Sequence, residues 1–228
     1  MKTAMLHSGG LDSYVTSALL LGMGRDVEAF FFDYGQVTVD VELEAAKNCV
    51  LDLQEAYGRK AIDLHYVGLL DYKKYVEKVS IVGGIAPDAK QDGKLIFVPG
   101  RNILFLLYTA IATYDAGIRE IAFSSHRSDR VAGDCRPEFV EAFQTMLRWG
   151  MGVKGAQEPY RIWSPLQGMT KGDVVRTAHQ RGLLLSKSWS CYRPGELHCG
   201  VCHNCEDRKM AFKEAGVTDP TEYEDAKS

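Results

Sequence analysis

Six consecutive residues, Ser8-Gly9-Gly10-Leu11-Asp12-Ser13, combine what an anion site needs. The two glycines let neighbouring backbone N–H groups turn toward one ligand with no Cβ in the way. A helical pattern follows over residues 11–21, and a helix start offers four free N–H groups and a positive dipole end. Ser8 and Ser13 add hydroxyl donors. The carboxylate of Asp12 makes sense in such a place if it holds Mg²⁺ or orients the loop. The Gly-Lys-Ser/Thr ending of a Walker A loop is absent. The bland reading is a glycine turn capped by Ser8. A bare Gly-Gly would favour it, but the whole segment at a strand-to-helix junction favours a phosphate cradle.

A second chemical cluster lies near the C-terminus. Cys191, Cys199, Cys202 and Cys205 are four of the six cysteines. Cys-Gly-x-Cys-x-x-Cys sets three thiolates in one tight turn, and a loop returns Cys191 to them. With no sign of secretion, a metal explains them better than disulfides. Four thiolates suit tetrahedral Zn²⁺ with Zn–S near ~2.3 Å and leave no open position, so the metal is expected to be structural. An iron–sulfur cluster is the rival. His198 and His203 are spare donors beside a shell already complete. Cys49 falls in an apolar helical stretch and reads as core.

Strand-like runs alternate with helical patterns, as in βα units around a parallel sheet. Strands are expected over 3–7, 28–32, 61–67, 118–124 and 160–163. Helices are expected over 11–21, 39–57, 103–115, 138–149, 170–181 and 206–215. Asn102 is placed to cap the third of these. Thr170 and Asp173 form a capping box for the fifth. Residues 68–94, rich in Gly, Asp and Lys, read as a partly helical excursion and a mobile loop suited to a lid, with order returning at 95–98. The expected organisation is an α/β domain over 1–185 and a cysteine segment over 186–228.

Composition narrows the class. The chain has 228 residues and a net charge of −3 from 27 basic and 30 acidic side chains. No basic excess marks a nucleic-acid surface. No apolar run approaches the ~18 residues of a membrane span, and the N-terminus reads as a strand rather than a signal. A cytoplasmic protein is expected.

The segment at 8–13 resembles the SGGxDS signature of the PP-loop pyrophosphatases. The resemblance implies a Rossmann-like parallel five-stranded sheet of the adenine nucleotide α hydrolase type. In such proteins this loop grips the β- and γ-phosphates of ATP with Mg²⁺. Further motifs fit the same superfamily. Asp33-Tyr34-Gly35-Gln36 follows the second strand, where adenosine and substrate contacts are implied. Pro99-Gly100-Arg101-Asn102 opens a helix, and Arg101 can meet a phosphate or carboxylate with two parallel hydrogen bonds. Lys171 starts a helix, where a cation opposes the dipole unless an anion lies near. Each has an ordinary reading too: a βα turn, a surface arginine, an exposed first-turn lysine.

Taken in order, SGGxDS, FDYGQ, VPGRN, DCRPEF and SWSCY…CGxCxxC resemble the 7-cyano-7-deazaguanine synthase family over nearly the whole chain. The resemblance implies a ligase. A 7-deazaguanine carboxylate attacks the α-phosphate of ATP, ammonia displaces AMP to give the amide, and a second ATP activates the amide oxygen so that loss of AMP leaves the nitrile. Asp12, Arg101 and Lys171 are the implied catalytic groups, and Gln36, Asn102, His126, Asp134 and Cys135 the implied substrate contacts. Asp134 can accept from a guanine edge, or it can cap the helix before Pro137. Tyr34, Phe97 and Trp189 are candidates for stacking on the base or for the core. The resemblance also implies a homodimer.

Three features depart from the family. Val37 and Thr38 stand where Arg-His is usual. Val131-Ala132-Gly133 replaces Gly-Tyr-Pro. The loop 125–130 carries His126, Arg127 and Arg130. They open an alternative: a paralogue, of the kind found in antiphage defence or nucleic-acid modification, that stops at the amide or joins the deazaguanine to a protein or nucleic-acid amine. A non-catalytic nucleotide-binding module and a tRNA sulfur transferase are further readings. The intact Asp12 and Lys171 weigh against the first, the acidic charge against the second.

Overall fold

Two apolar runs build the centre. β1 (Lys2–Leu6) and β2 (Asp26–Asp33) bury Ala4, Met5, Ala29, Phe30 and Phe31 on both faces of a sheet. Parallel strands covered by helices on either side read this way. The computed structural model describes residues 1–69, 71–78, 80–83, 97–152 and 157–224. In it, β3 (Ile62–Gly68), β4 (Glu120–Ala122) and β5 (Arg161–Trp163) complete a five-stranded sheet in the order β3-β2-β1-β4-β5. Every pairing is parallel. Each strand lies within two residues of its expected bounds.

The helices, in chain order, are α1 (Leu11–Gly22), α2 (Val39–Tyr57), α3 (Lys73–Val76), α4 (Ser80–Gly83), α5 (Arg101–Ala112), α6 (Pro137–Gly150), α7 (Lys171–Gln180) and α8 (His203–Ala215), among the described residues. Leu20, Leu53, Val174 and Phe212, from α1, α2, α7 and α8, share one core with Met5. Leu106, Phe143 and Leu147, from α5 and α6, share the other with Phe32 and Ile121. The sheet is therefore sandwiched between two helical layers. Strand order turns back at β1, whose neighbours β2 and β4 lead the chain to opposite sides. A crevice opens at the carboxyl ends of the strands at such a point.

Helix α1 is buried almost all round because α2 and α7 both pack on it. Two local expectations change. Helix α5 starts at Arg101, two residues early. Gly100, left-handed at φ +74°, precedes it, and no side chain caps it. Asn102 is thus in the first turn rather than the cap. Helix α8 starts at His203, because the cysteine turn winds directly into it with Cys202 at the cap position. The capping box of Thr170 and Asp173 forms as expected. The excursion after β3 contains the short α3 and α4. Most of the expected lid loop, with the start of the return at 95–98, lies outside the described residues.

The C-terminal helix is fastened through a buried cation. Arg208, 1% exposed, donates to Leu185 O, Ser188 Oγ, Ser190 Oγ and Thr221 Oγ1 at 2.7–3.1 Å. Asp219 stands 3.6 Å away. Nothing in sequence spacing marks this residue as different from an exposed helix arginine. Removing one member of a buried charged network costs about 3–5 kcal/mol. Arg208→Ala is expected to lower the unfolding free energy by that order, read from equilibrium urea denaturation.

Candidate active site

The loop leaving β1 is held from three sides. Gly9 has φ +76°, and a Cβ there would lie 2.4 Å from Glu42 O and 2.7 Å from Ala46 N of α2. Only glycine fits, both for its conformation and for this approach. On the other flank, Trp189 N donates to Gly9 O at 3.0 Å. Within the loop, Ser13 Oγ donates to Gly10 O at 2.9 Å and lies 3.3 Å from Ser8 Oγ and Ser8 N. Gly10 is the cap residue of α1, and no side chain caps that helix. Its first N–H groups therefore remain available to an anion.

Asp12 and Lys171 meet in an ion pair across this loop. The pair joins the first turns of α1 and α7, which are 159 residues apart. The second carboxylate oxygen, Asp12 Oδ1, is buried and has no hydrogen-bond partner. A buried carboxylate oxygen left without a donor costs free energy unless a cation or donor arrives. That orphaned oxygen fits the Mg²⁺ expected with a triphosphate.

Near them, Asp129 accepts from His126 N at 2.9 Å, and His126 Nδ1 accepts from Ser128 N at 3.3 Å. Burial pushes the Asp129 carboxyl up, and the neighbouring His126 offsets part of that. Asp129 also feels Lys171 and Asp12, so the loop after β4 reaches the phosphate cradle. His126 is thereby committed to its own 3₁₀ turn, Arg127–Val131.

The motif after β2 is pinned by its own hydrogen bonds. Gln36, 3% exposed, accepts from Tyr34 N at 2.9 Å and donates to Phe32 O at 3.1 Å and Glu42 Oε2 at 3.0 Å. Asp33 Oδ1 accepts from Gly35 N at 2.9 Å. Burial raises the Glu42 carboxyl, while donors from Thr38 and Gln36 oppose the rise. Tyr34 is buried against Phe105, and Arg101 Nη1 donates to its hydroxyl at 3.3 Å. Arg101 also faces Tyr192 and Asp134. Asp134 sits in the 3₁₀ turn Gly133–Cys135, and Arg136 is the cap residue of α6, so Asp134 is not that helix's cap. Asn102 Nδ2 lies 4.0 Å from Cys135 Sγ. Burial pushes the Cys135 thiol up to about 11.

The four cysteines form one buried cluster, with ligand atoms all within 4.8 Å of one another. Sulfur pairs stand 3.9, 3.9 and 3.4 Å apart. A tetrahedral zinc shell with Zn–S of ~2.3 Å has S···S edges of about 3.8 Å. Arg193 N and Cys199 N donate to Cys191 Sγ, and Cys202 N to Cys199 Sγ, at 3.3–3.4 Å. The cluster can bind zinc. His198 takes no part in the shell: it accepts from Ser190 N at 3.0 Å and packs at a tilt against Trp189. Trp189 thus belongs to the cysteine segment, and Phe97 is half exposed.

The structure therefore brings together residues 8–13 with Lys171, and Arg101 with Tyr34 and Asp134. Glu42 and Asp129 join them without any signal in the sequence motifs, and Trp189 and Tyr192 join them from within SWSCY. These elements define a PP-loop nucleotide fold. It resembles a solved 4-thiouridine synthetase–RNA complex with bound ATP, with a TM-score of 0.55 at 19% identity; the match covers 94% of this chain and half of that one. The profile of the family described as "Queuosine biosynthesis protein QueC" matches residues 2–216, and the chain belongs to that family. Similar proteins include the 7-cyano-7-deazaguanine synthase of Acetivibrio thermocellus, 36% identical over 97% of both chains. That of Thermoplasma acidophilum is 33% identical over 98% of this chain and 92% of its own.

Two outcomes follow from this geometry. Gly9→Ala is expected to abolish nucleotide binding, because the loop must move away from α2; titration calorimetry with ATP checks it. His7, buried directly before the loop, has its pKa pushed down to about 4 by burial. From pH 6.5 downward the unfolded chain gains a proton that the folded chain refuses, so this residue costs stability as pH falls toward 4. His7→Gln should flatten that part of the Tm-against-pH curve.

Proposed function

We propose that the chain is an ATP-dependent ligase that adenylates 7-carboxy-7-deazaguanine and converts it with ammonia, through the amide, to 7-cyano-7-deazaguanine. The observation that carries this is the uncapped head of α1 beside the orphaned Asp12 Oδ1 and Lys171, inside a chain of this family.

The chain's own groups act by position and charge. Free N–H groups at the head of α1, with Ser8 and Ser13, hold the β- and γ-phosphates. Lys171 draws negative charge toward the departing pyrophosphate. Asp12, through Oδ1, would hold Mg²⁺, which supplies charge neutralisation on the phosphates. Arg101, with two parallel donors, fits a phosphate or the substrate carboxylate, and Tyr34 steadies it. Asp134, beside Arg101, is suited to the N1–H and amino edge of the deazaguanine. A nucleophilic side chain is not needed, and the raised Cys135 thiol is a poor one at neutral pH. Zinc on the four cysteines is the structural metal. A homodimer is proposed on family resemblance, with analytical ultracentrifugation as its test.

Incubation with ATP, Mg²⁺, ammonia and 7-carboxy-7-deazaguanine, followed by mass spectrometry, should yield the nitrile with AMP. AMP with an amide alone, or with label on a protein, would overturn the nitrile assignment and support the paralogue. Asp12→Ala should abolish turnover, and Lys171→Ala should lower kcat roughly 100–1000-fold, the scale for losing one oriented charge. Cys202→Ala should drop zinc content from one per chain to none and lower Tm by several degrees.

A further inference from the structure

The strap of residues 185–191 runs between the buried Arg208 and the cysteine cluster, and it touches the phosphate loop at one point. Arg208 holds the strap at Leu185 O, Ser188 Oγ and Ser190 Oγ. At the other end Cys191 enters the cluster. Between them Trp189 is fixed by its own ring: Nε1 donates to Cys191 O at 2.8 Å, and the ring packs at a tilt against His198, 4.3 Å between centroids. What remains of Trp189 faces the loop. Its N–H donates to Gly9 O, and its carbonyl would lie 3.5 Å from a Cβ at Gly10.

That single backbone hydrogen bond has a directional consequence. The peptide between Gly9 and Gly10 is planar and trans, so its N–H points opposite to its C=O. Fixing Gly9 O toward the strap therefore fixes where the Gly10 N–H points. Gly9 is glycine at φ +76°, flanked by a second glycine, and has little conformational bias of its own. Within the loop Gly10 N donates to Ser8 Oγ at 3.3 Å, and the rest of the orientation is imposed by neighbours. On the α2 side it is imposed by close contact, and on the other side by Trp189.

We infer, on the nucleotide reading proposed above, that the Trp189 backbone N–H is a positioning group for the phosphate loop. The cysteine cluster and the ATP site are thereby energetically coupled: filling the cluster with zinc sets the strap that orients the loop, and ATP on the loop favours the strap position that binds zinc. The coupling is reciprocal, as any linkage between two binding sites must be.

The cleanest test removes only the N–H. Indole-3-lactic acid in place of tryptophan at position 189 turns that amide into an ester and keeps the ring. ATP·Mg²⁺ affinity is then measured by calorimetry without the deazaguanine substrate, alongside zinc content and circular dichroism. The ester protein should keep its zinc and fold, and bind ATP roughly 3- to 10-fold more weakly, the scale of one hydrogen bond. A second measurement needs only wild type. Zinc affinity against a competing chromogenic chelator should tighten roughly fivefold or more at saturating ATP. An ester protein that binds ATP as wild type does, or a zinc affinity indifferent to ATP, overturns the inference. A wild-type protein that binds no ATP overturns the nucleotide reading first, and the inference with it.

Discussion

Gly9 sits where no side chain can. Its α-carbon is wedged against the backbone of α2 at Glu42 and Ala46, and its carbonyl is held by Trp189. The positions of α1, α2 and the cysteine segment all meet at this one residue. Helix α1, which leaves this loop, is buried on nearly every side, and its residues are accordingly apolar or small. Ser13, Thr16 and Ser17 are buried among them, which keeps the helix slim enough for close packing of α2 and α7.

The crevice beside β1 then gathers charge from distant parts of the chain. Lys171 comes from the far side of β5 to meet Asp12. Asp129 comes from the loop after β4, and Arg101 from the helix before it, near Tyr34 of the β2 loop. Burial raises the carboxyl groups of Glu42 and Asp129 together. Both lie beside cations or hydrogen-bond donors that pull the other way. The resulting site holds its charges in a partly water-excluded space, where oriented donors act more strongly than in bulk water.

Local patterns made much of this legible. Residues 8–13 and the four cysteines each carry their chemistry within a few positions; the cysteines read correctly as a cluster, and residues 8–13 as the turn from β1 into α1. Alternating apolar runs marked all five strands. What stayed hidden depends on contacts between residues far apart. Glu42 belongs to an ordinary amphipathic helix until Gly9 and Gln36 are brought against it. Trp189 acts through its backbone, which no residue type announces. Arg208 looks like any helix arginine, although burial with Leu185, Ser188 and Thr221 sets it apart. The start of α5 was misjudged because a left-handed Gly100, rather than a polar side chain, begins it.

The latch on the phosphate loop has a bearing on how the chain is made. Synthesis runs from the N-terminus, so residues 8–13 leave the ribosome long before Trp189 and the cysteines. A nascent chain carrying β1 through β5 has every strand of the sheet, yet its glycine loop still lacks the Trp189 donor. Lys171 arrives late as well. On the proposed reading, the first motif translated is therefore the last to become competent, because its Trp189 donor and its Lys171 partner both come late in the chain.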